Sequence, residues 1–185
     1  MVPEPSCLGP WTGDQEPVHY RTIERAPQDY KEAVKWYRLA AEQGRADAQY
    51  NLGVMYKRGW GVPQDYKETV KWYKLAAEQG DAQAQAFLGL MYEDGKGVPQ
   101  DYKEAVKWYK LAAEQRYDYG QIRLAIMYKR GKGVLQDYKE AVKWYKLAAE
   151  QGYDYGQASL AKMYEDGKGV LQDNVMAHMW YNIAS

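Results

Sequence analysis

The stretch Glu104-Ala105-Val106-Lys107-Trp108-Tyr109-Lys110-Leu111-Ala112-Ala113-Glu114-Gln115 returns unchanged as Glu140 to Gln151, and that return decides the fold. Working outward, Asp65-Tyr66-Lys67-Glu68 recurs from Asp29, Asp101 and Asp137, a step of 36 residues each time. Trp36, Trp72, Trp108, Trp144 and Trp180 keep the same step, as do Leu52, Leu88, Leu124 and Leu160, and Met55, Met91, Met127 and Met163. A fixed period of this size marks an array of supersecondary units, and its length suits a pair of helices.

Each period divides into two helices. In the first, Ala46 to Arg58, the residues Tyr50, Leu52, Met55 and Tyr56 fall at roughly helical spacing. Gly59 and Gly61 end it, because glycine accepts the positive φ at which helices commonly stop. The second runs from about Asp65 to Gln79, with Asp65 as N-cap and Glu68 three positions on in a capping-box pattern. Tyr66, Thr69, Val70, Tyr73 and Ala77 form its core stripe, and Lys67, Glu68, Lys71 and Lys74 lie off it. Such hairpins cannot bury both faces alone, so they stack into a solenoid. The expected class is an all-α, α/α superhelix.

The pattern Ala-Gln-x-x-Leu-Gly-x-Met-Tyr-x-x-Gly-x-Gly-Val-Pro-Gln-Asp-Tyr, followed by Ala-Val-Lys-Trp-Tyr and Ala-Ala-Glu-Gln-Gly, resembles the Sel-one-like repeat family, relatives of the tetratricopeptide repeats. The resemblance covers residues 28–185. It implies a right-handed solenoid of antiparallel helix pairs whose members mostly act as adaptors in multiprotein complexes. The family's phasing gives units at 45–80, 81–116, 117–152 and 153–185, an extra second helix at 28–44, and a proline-rich segment 1–27 that is either disordered or a degenerate cap.

Composition removes several function classes. Lys+Arg and Asp+Glu each number 25, so the basic excess that binds phosphates or anionic lipid is missing. No nucleic acid partner and no membrane insertion are expected, since no run approaches the ~20 apolar residues of a spanning helix. Cys7 is the only cysteine, and His19 and His178 are the only histidines; neither a disulfide, a metal site nor a cofactor site is expected. His178 stands where every earlier unit has valine, with no nucleophile or carboxylate set around it by the repeat, and the pairs Glu93-Asp94 and Glu165-Asp166 read as solvated helix ends. The chain reads as a non-enzyme. With no signal-peptide pattern in the first residues, a cytoplasmic location is the expectation, and a secreted or periplasmic one stays open should the N-terminus be incomplete.

Departures from the repeat mark further expectations. Arg116 occupies the site of Gly44, Gly80 and Gly152, and Leu135 and Leu171 replace Pro63 and Pro99. In the last helix Val175, Met176, Met179 and Ile183 replace Lys, Glu, Lys and Leu, which makes self-association through that helix the alternative reading. Trp60 replaces a lysine of the other loops and is read equally as an exposed anchor or as local packing.

The expected partner is a protein or peptide bound on the concave face. By resemblance to tetratricopeptide arrays, that face is lined by the first helix of each unit. Its exposed side is expected to carry Asp47, Tyr50, Val54, Lys57 and Arg58, then Gln83, Leu90, Glu93 and Asp94. Tyr119, Ile122, Ile126, Lys129 and Arg130 follow in the third unit, and Tyr155, Lys162, Glu165 and Asp166 in the fourth. Tyr119, Tyr155, Ile122 and Ile126 suggest an aromatic-apolar floor. The pairs Lys57-Arg58, Glu93-Asp94, Lys129-Arg130 and Glu165-Asp166 alternate in sign, either attracting adjacent units or fixing the register of a bound peptide.

Overall fold

A computed structural model describes residues 30–184. The readings placed on Cys7, His19 and residues 1–29 lie outside the described residues. Among those described, nine helices follow one another without a strand: α1 (Tyr30–Glu42), α2 (Ala46–Arg58), α3 (Tyr66–Glu78), α4 (Ala82–Asp94), α5 (Tyr102–Glu114), α6 (Asp118–Arg130), α7 (Tyr138–Glu150), α8 (Asp154–Asp166) and α9 (Asn174–Ile183). Each packs on its neighbours in sequence, and α4 also touches α6, so first helices of adjacent units meet. The result is the all-α repeat superhelix that the 36-residue period predicts.

The caps recur with the period. The Asp65 carboxylate accepts from the Lys67 and Glu68 N–H groups at 2.8 and 3.1 Å, and Asp101, Asp137 and Asp173 repeat the arrangement. The reciprocal half of the capping box does not form. Glu68 instead accepts from Trp72 Nε1 at 3.0 Å and pairs with Lys71, while the Asp65 N–H donates to the Tyr56 carbonyl at 3.0 Å. That last bond, repeated from Asp101, Asp137 and Asp173, ties the start of each second helix to the first helix of its own unit.

One loop glycine per unit is dictated by space as well as by φ. A Cβ on Gly97, at φ 74°, would sit 2.2 Å from the Tyr66 carbonyl oxygen at the start of the preceding second helix. Gly61, Gly133 and Gly169 repeat the contact with Tyr30, Tyr102 and Tyr138. The loops therefore dock unit on unit through bare backbone.

The core runs the length of the array. Tyr73, Tyr109 and Tyr145 are fully buried, with Leu52, Leu88, Leu124 and Leu160 beside them. Thr69, Val70, Tyr73 and Ala77 are buried along α3, as the stripe requires. Trp72 and Trp144 are buried and Trp108 and Trp180 partly so, whereas Trp36 in α1 is exposed. Trp60 stacks on Tyr30 with ring centroids 5.1 Å apart; its position in other units carries Lys96 and Lys132, which lie over Tyr66 and Tyr102. Trp60 thus packs locally.

Candidate interaction surface

First helices of inner units have neighbours on three sides: the second helix before them, their own second helix, and the next first helix. Burial is correspondingly deep, with Ala84 through Met91 buried without a break in α4. This corrects the expected surface. Tyr50, Val54, Leu90, Glu93, Tyr119, Ile122 and Ile126 are all buried. Tyr119 stacks on Phe87 with ring centroids 5.2 Å apart, and Tyr50 meets the same ring tilted by 32° at 6.0 Å, so the aromatic-apolar floor is a seam between units. The sequence variation at these positions reflects packing solved pairwise between neighbours, not freedom from packing.

The remaining residues stay accessible. Asp47, Arg58, Asp94, Arg130, Lys162, Glu165 and Asp166 are exposed, and Lys57, Gln83, Lys129 and Tyr155 are partly so. Arg45 grips Asp47 at 2.6 Å and holds its carboxyl below the usual range. Arg58 lies over Trp60. Desolvation lowers Lys129, aided by Lys168. What faces solvent on the first-helix side is charged and polar.

The alternating charges find partners outside their own series. Glu93 accepts from the guanidinium of Arg123 and from Tyr109 Oη, the latter at 2.7 Å, in a buried cluster. Burial pushes the Tyr109 hydroxyl well up, and the neighbouring Glu93 charge adds to the effect. Asp94 pairs with Lys96 at 3.2 Å, and Lys162 bridges Glu165 and Asp166 at 2.9 and 3.1 Å. Lys57 lies over the Phe87 ring at 4.9 Å.

A second interunit device escaped the sequence reading. Gln49, Gln85 and Gln121 are buried, each donating to a carbonyl of the preceding helix (Ala41, Ala77, Ala113) and accepting from Gln79, Gln115 or Gln151 at 2.7–2.8 Å. Their recurrence at the repeat step was the available signal. Polar side chains though they are, these point in.

Among the described residues, no group of three or more His, Cys, Asp or Glu side chains could hold a metal ion, and no helix is long and apolar enough to cross a membrane. A small pocket between α8 and α9 is lined by Glu165, Asn174, Ala177, His178 and Tyr181.

Stacked helix pairs, loop glycines on backbone and an interunit glutamine ladder define a helical repeat protein of the solenoid class. The family model of the Sel1 repeat matches residues 23–44, 46–81, 82–117, 118–153 and 154–185, and the chain belongs to that family. It is similar to the protective antigen c5321 of uropathogenic Escherichia coli, which displays an SLR fold (TM-score 0.83, 44% identity, 89% of this chain and 35% of that one). It is also similar to a Sel1 repeat protein from Oxalobacter formigenes (TM-score 0.79, 39% identity, 83% and 61%). The chain thus spans less than two thirds of either relative. Helicobacter pylori cysteine rich protein B shares the fold at 24% identity (TM-score 0.57, 72% and 96%). No curated protein matches the sequence. Sel1 repeat proteins are generally protein-interaction scaffolds.

Proposed function

We propose that this array is an adaptor that holds a protein or peptide segment across its concave, first-helix side. The observation that carries the reading is the row Arg58, Asp94, Arg130 and Asp166, one exposed charge of alternating sign at the same position of each successive unit. A rigid scaffold with charges at a fixed step selects partners by register and orientation more than by total attraction. Asp47, Gln83 and Tyr155, at the opposite ends of the same helices, supply polar and aromatic contact. The test is charge reversal. Arg58→Glu/Arg130→Glu should lose a co-purifying partner while keeping the wild-type melting curve, and a photo-crosslinker at position 94 should capture that partner in the parent protein. Crosslinking from positions 175 and 179 alone would refute this face.

A specific observation favours a second reading. On α9 and its loop, Leu171 is 91% exposed, Val175 79%, Ile183 51% and Met179 40%, an apolar stripe at four-residue spacing. Self-association through this stripe would appear as a mass that rises with concentration in light scattering and falls back to the monomer in Met179→Lys/Val175→Lys.

A further inference from the structure

The second helices say almost nothing about the order of the units. α5 and α7 share one sequence, and α3 differs from them only by Thr69 in place of Ala105 and Ala141. A first helix therefore meets nearly the same surface whichever second helix precedes it, so α6 could pack on α3 much as it packs on α5. The hazard is an array that closes with one unit left out, because misassembly of neighbouring units is a characteristic failure of repeat proteins. The fixed residues of the first helices offer no protection, since Gln49, Leu52 and Met55 recur unchanged at the repeat step.

One contact between first helices does differ. Lys57 lies over the Phe87 ring at 4.9 Å. A period later Glu93 replaces the lysine and Arg123 the ring, and the carboxylate accepts from the guanidinium and from Tyr109 Oη, with Glu93 and Arg123 both more than nine-tenths buried. In the fourth unit Ser159 holds the same position, hydrogen-bonded to Tyr145. Leaving out the second unit would set Lys57 against Arg123, two cations at a site where water is excluded. Leaving out the third would set Glu93 against Ser159 and take its guanidinium away. We propose that this contact is an order marker, which accepts the native successor of each unit and rejects arrays that skip one. A single buried polar residue fixes register in coiled coils in the same way, and a buried charge deprived of its partner is costly enough to make the rejection decisive. Skipping both inner units would pair Lys57 with Ser159 without conflict, but it gives up the packing of two complete units. The marker uses none of Arg58, Asp94, Arg130 or Asp166, so it stands apart from the concave-face reading.

The experiment is pulse-labelled hydrogen exchange during refolding of the full chain, read by mass spectrometry on peptides from α4 and α6, whose sequences are distinct. An array that omits the second unit leaves α4 unprotected while α2 and α6 are protected, and one that omits the third leaves α6 unprotected while α4 and α8 are protected. The parent should show little of either species. Glu93→Lys/Arg123→Phe puts a ring beneath Lys57 in the first skipped array and a lysine opposite Ser159 in the second, so both species should rise several-fold. Arg123→Phe alone should raise only the species lacking α4. Arg123→Ala strands Glu93 equally but offers Lys57 no ring, and should populate that species several-fold less. The species are read before folding is complete, so a variant of low final stability still reports. Equal populations in Arg123→Phe and Arg123→Ala would assign the effect to lost stability and overturn the proposal, as would a double variant that refolds like the parent.

Discussion

Arg123 of α6 reaches back thirty residues to place its guanidinium on the carboxylate of Glu93 in α4, and both side chains are more than nine-tenths buried. The same thirty-residue relation joins Lys57 to Phe87 as a cation over a ring. In the following unit Ser159, which holds the position of Phe87 and Arg123, is hydrogen-bonded to Tyr145. Each interface between first helices therefore solves one contact in its own chemistry, while the surrounding leucines, methionines and alanines stay fixed.

That individuality has an energetic consequence at Glu93. A buried ion pair is a weak source of net stability, but removing one partner strands the other charge. Arg123→Ala is expected to destabilise the array by about 3–5 kcal/mol. The double replacement Glu93→Lys/Arg123→Phe installs the pairing found at Lys57 and Phe87, and should recover most of that loss. Urea unfolding of the parent, both singles and the double gives the coupling directly. Additive single effects would show that the two side chains act independently.

The glutamine ladder supplies a graded comparison within one molecule. Gln85 donates to the Ala77 carbonyl at 3.1 Å and accepts from Gln115 at 2.8 Å, whereas Gln157 donates to Ala149 but its Oε1 is buried without a partner. Gln85→Ala removes two hydrogen bonds, each worth about 0.5–1.5 kcal/mol net, while the Ala77 carbonyl keeps the Gly80 N–H. Gln157→Ala removes one and takes away an unpaired acceptor, so its cost is smaller. Chemical denaturation of the two variants side by side should rank them in that order.

The period, the helix pairing, the N-cap aspartates and the core stripe were legible because each depends on spacing along one helix. Of the expected surface, charged helix-end residues such as Arg58, Asp94 and Arg130 are exposed as their sequence positions suggest. Tyr50, Val54, Leu90, Tyr119, Ile122 and Ile126 were misplaced because their burial involves a neighbouring unit's first helix, and no single-helix periodicity reports that neighbour. Arg123 and the Glu165–Tyr181 pair escaped for the same reason. Their partners stand thirty and sixteen residues away, separations that acquire meaning only after the stacking geometry is known.

Arg116 tests backbone conformation alone. It is the one non-glycine residue with positive φ among those described, at 63°, and its counterparts Gly44, Gly80 and Gly152 sit at 88°, 92° and 84°. At those glycines an added Cβ meets nothing within 4 Å, so conformation, not space, favours glycine at this helix end. Arg116→Gly should stabilise the array by about 1 kcal/mol, the ordinary penalty of a left-handed non-glycine residue. The readout is a higher melting temperature; Arg116→Ala, which keeps the Cβ, should not show it.

The terminal cluster around Lys162 fixes a pH dependence. Lys162 is raised by its hydrogen bonds to Glu165 and Asp166, Glu165 is lowered chiefly by Lys162, and Asp166 by Lys168 and then Lys162. A carboxylate whose folded value is depressed contributes stability above its ordinary value, 4.5 for Glu165 and 3.8 for Asp166, and loses it as pH falls through the lower folded value. The raised lysine contributes fully below its ordinary 10.5 and loses its contribution only as pH climbs through the higher folded value. The cluster is therefore fully engaged between those limits and released in acid. All three groups are exposed, so the gain is at most about 1 kcal/mol and shrinks with salt. Lys162→Ala should raise amide exchange at the C-terminal turn of α8 at neutral pH and low salt. The difference from the parent should close as the pH is lowered past the carboxylate range, because protonated Glu165 and Asp166 no longer distinguish lysine from alanine. A gap that persists in acid would assign the effect to packing of the lysine stem instead.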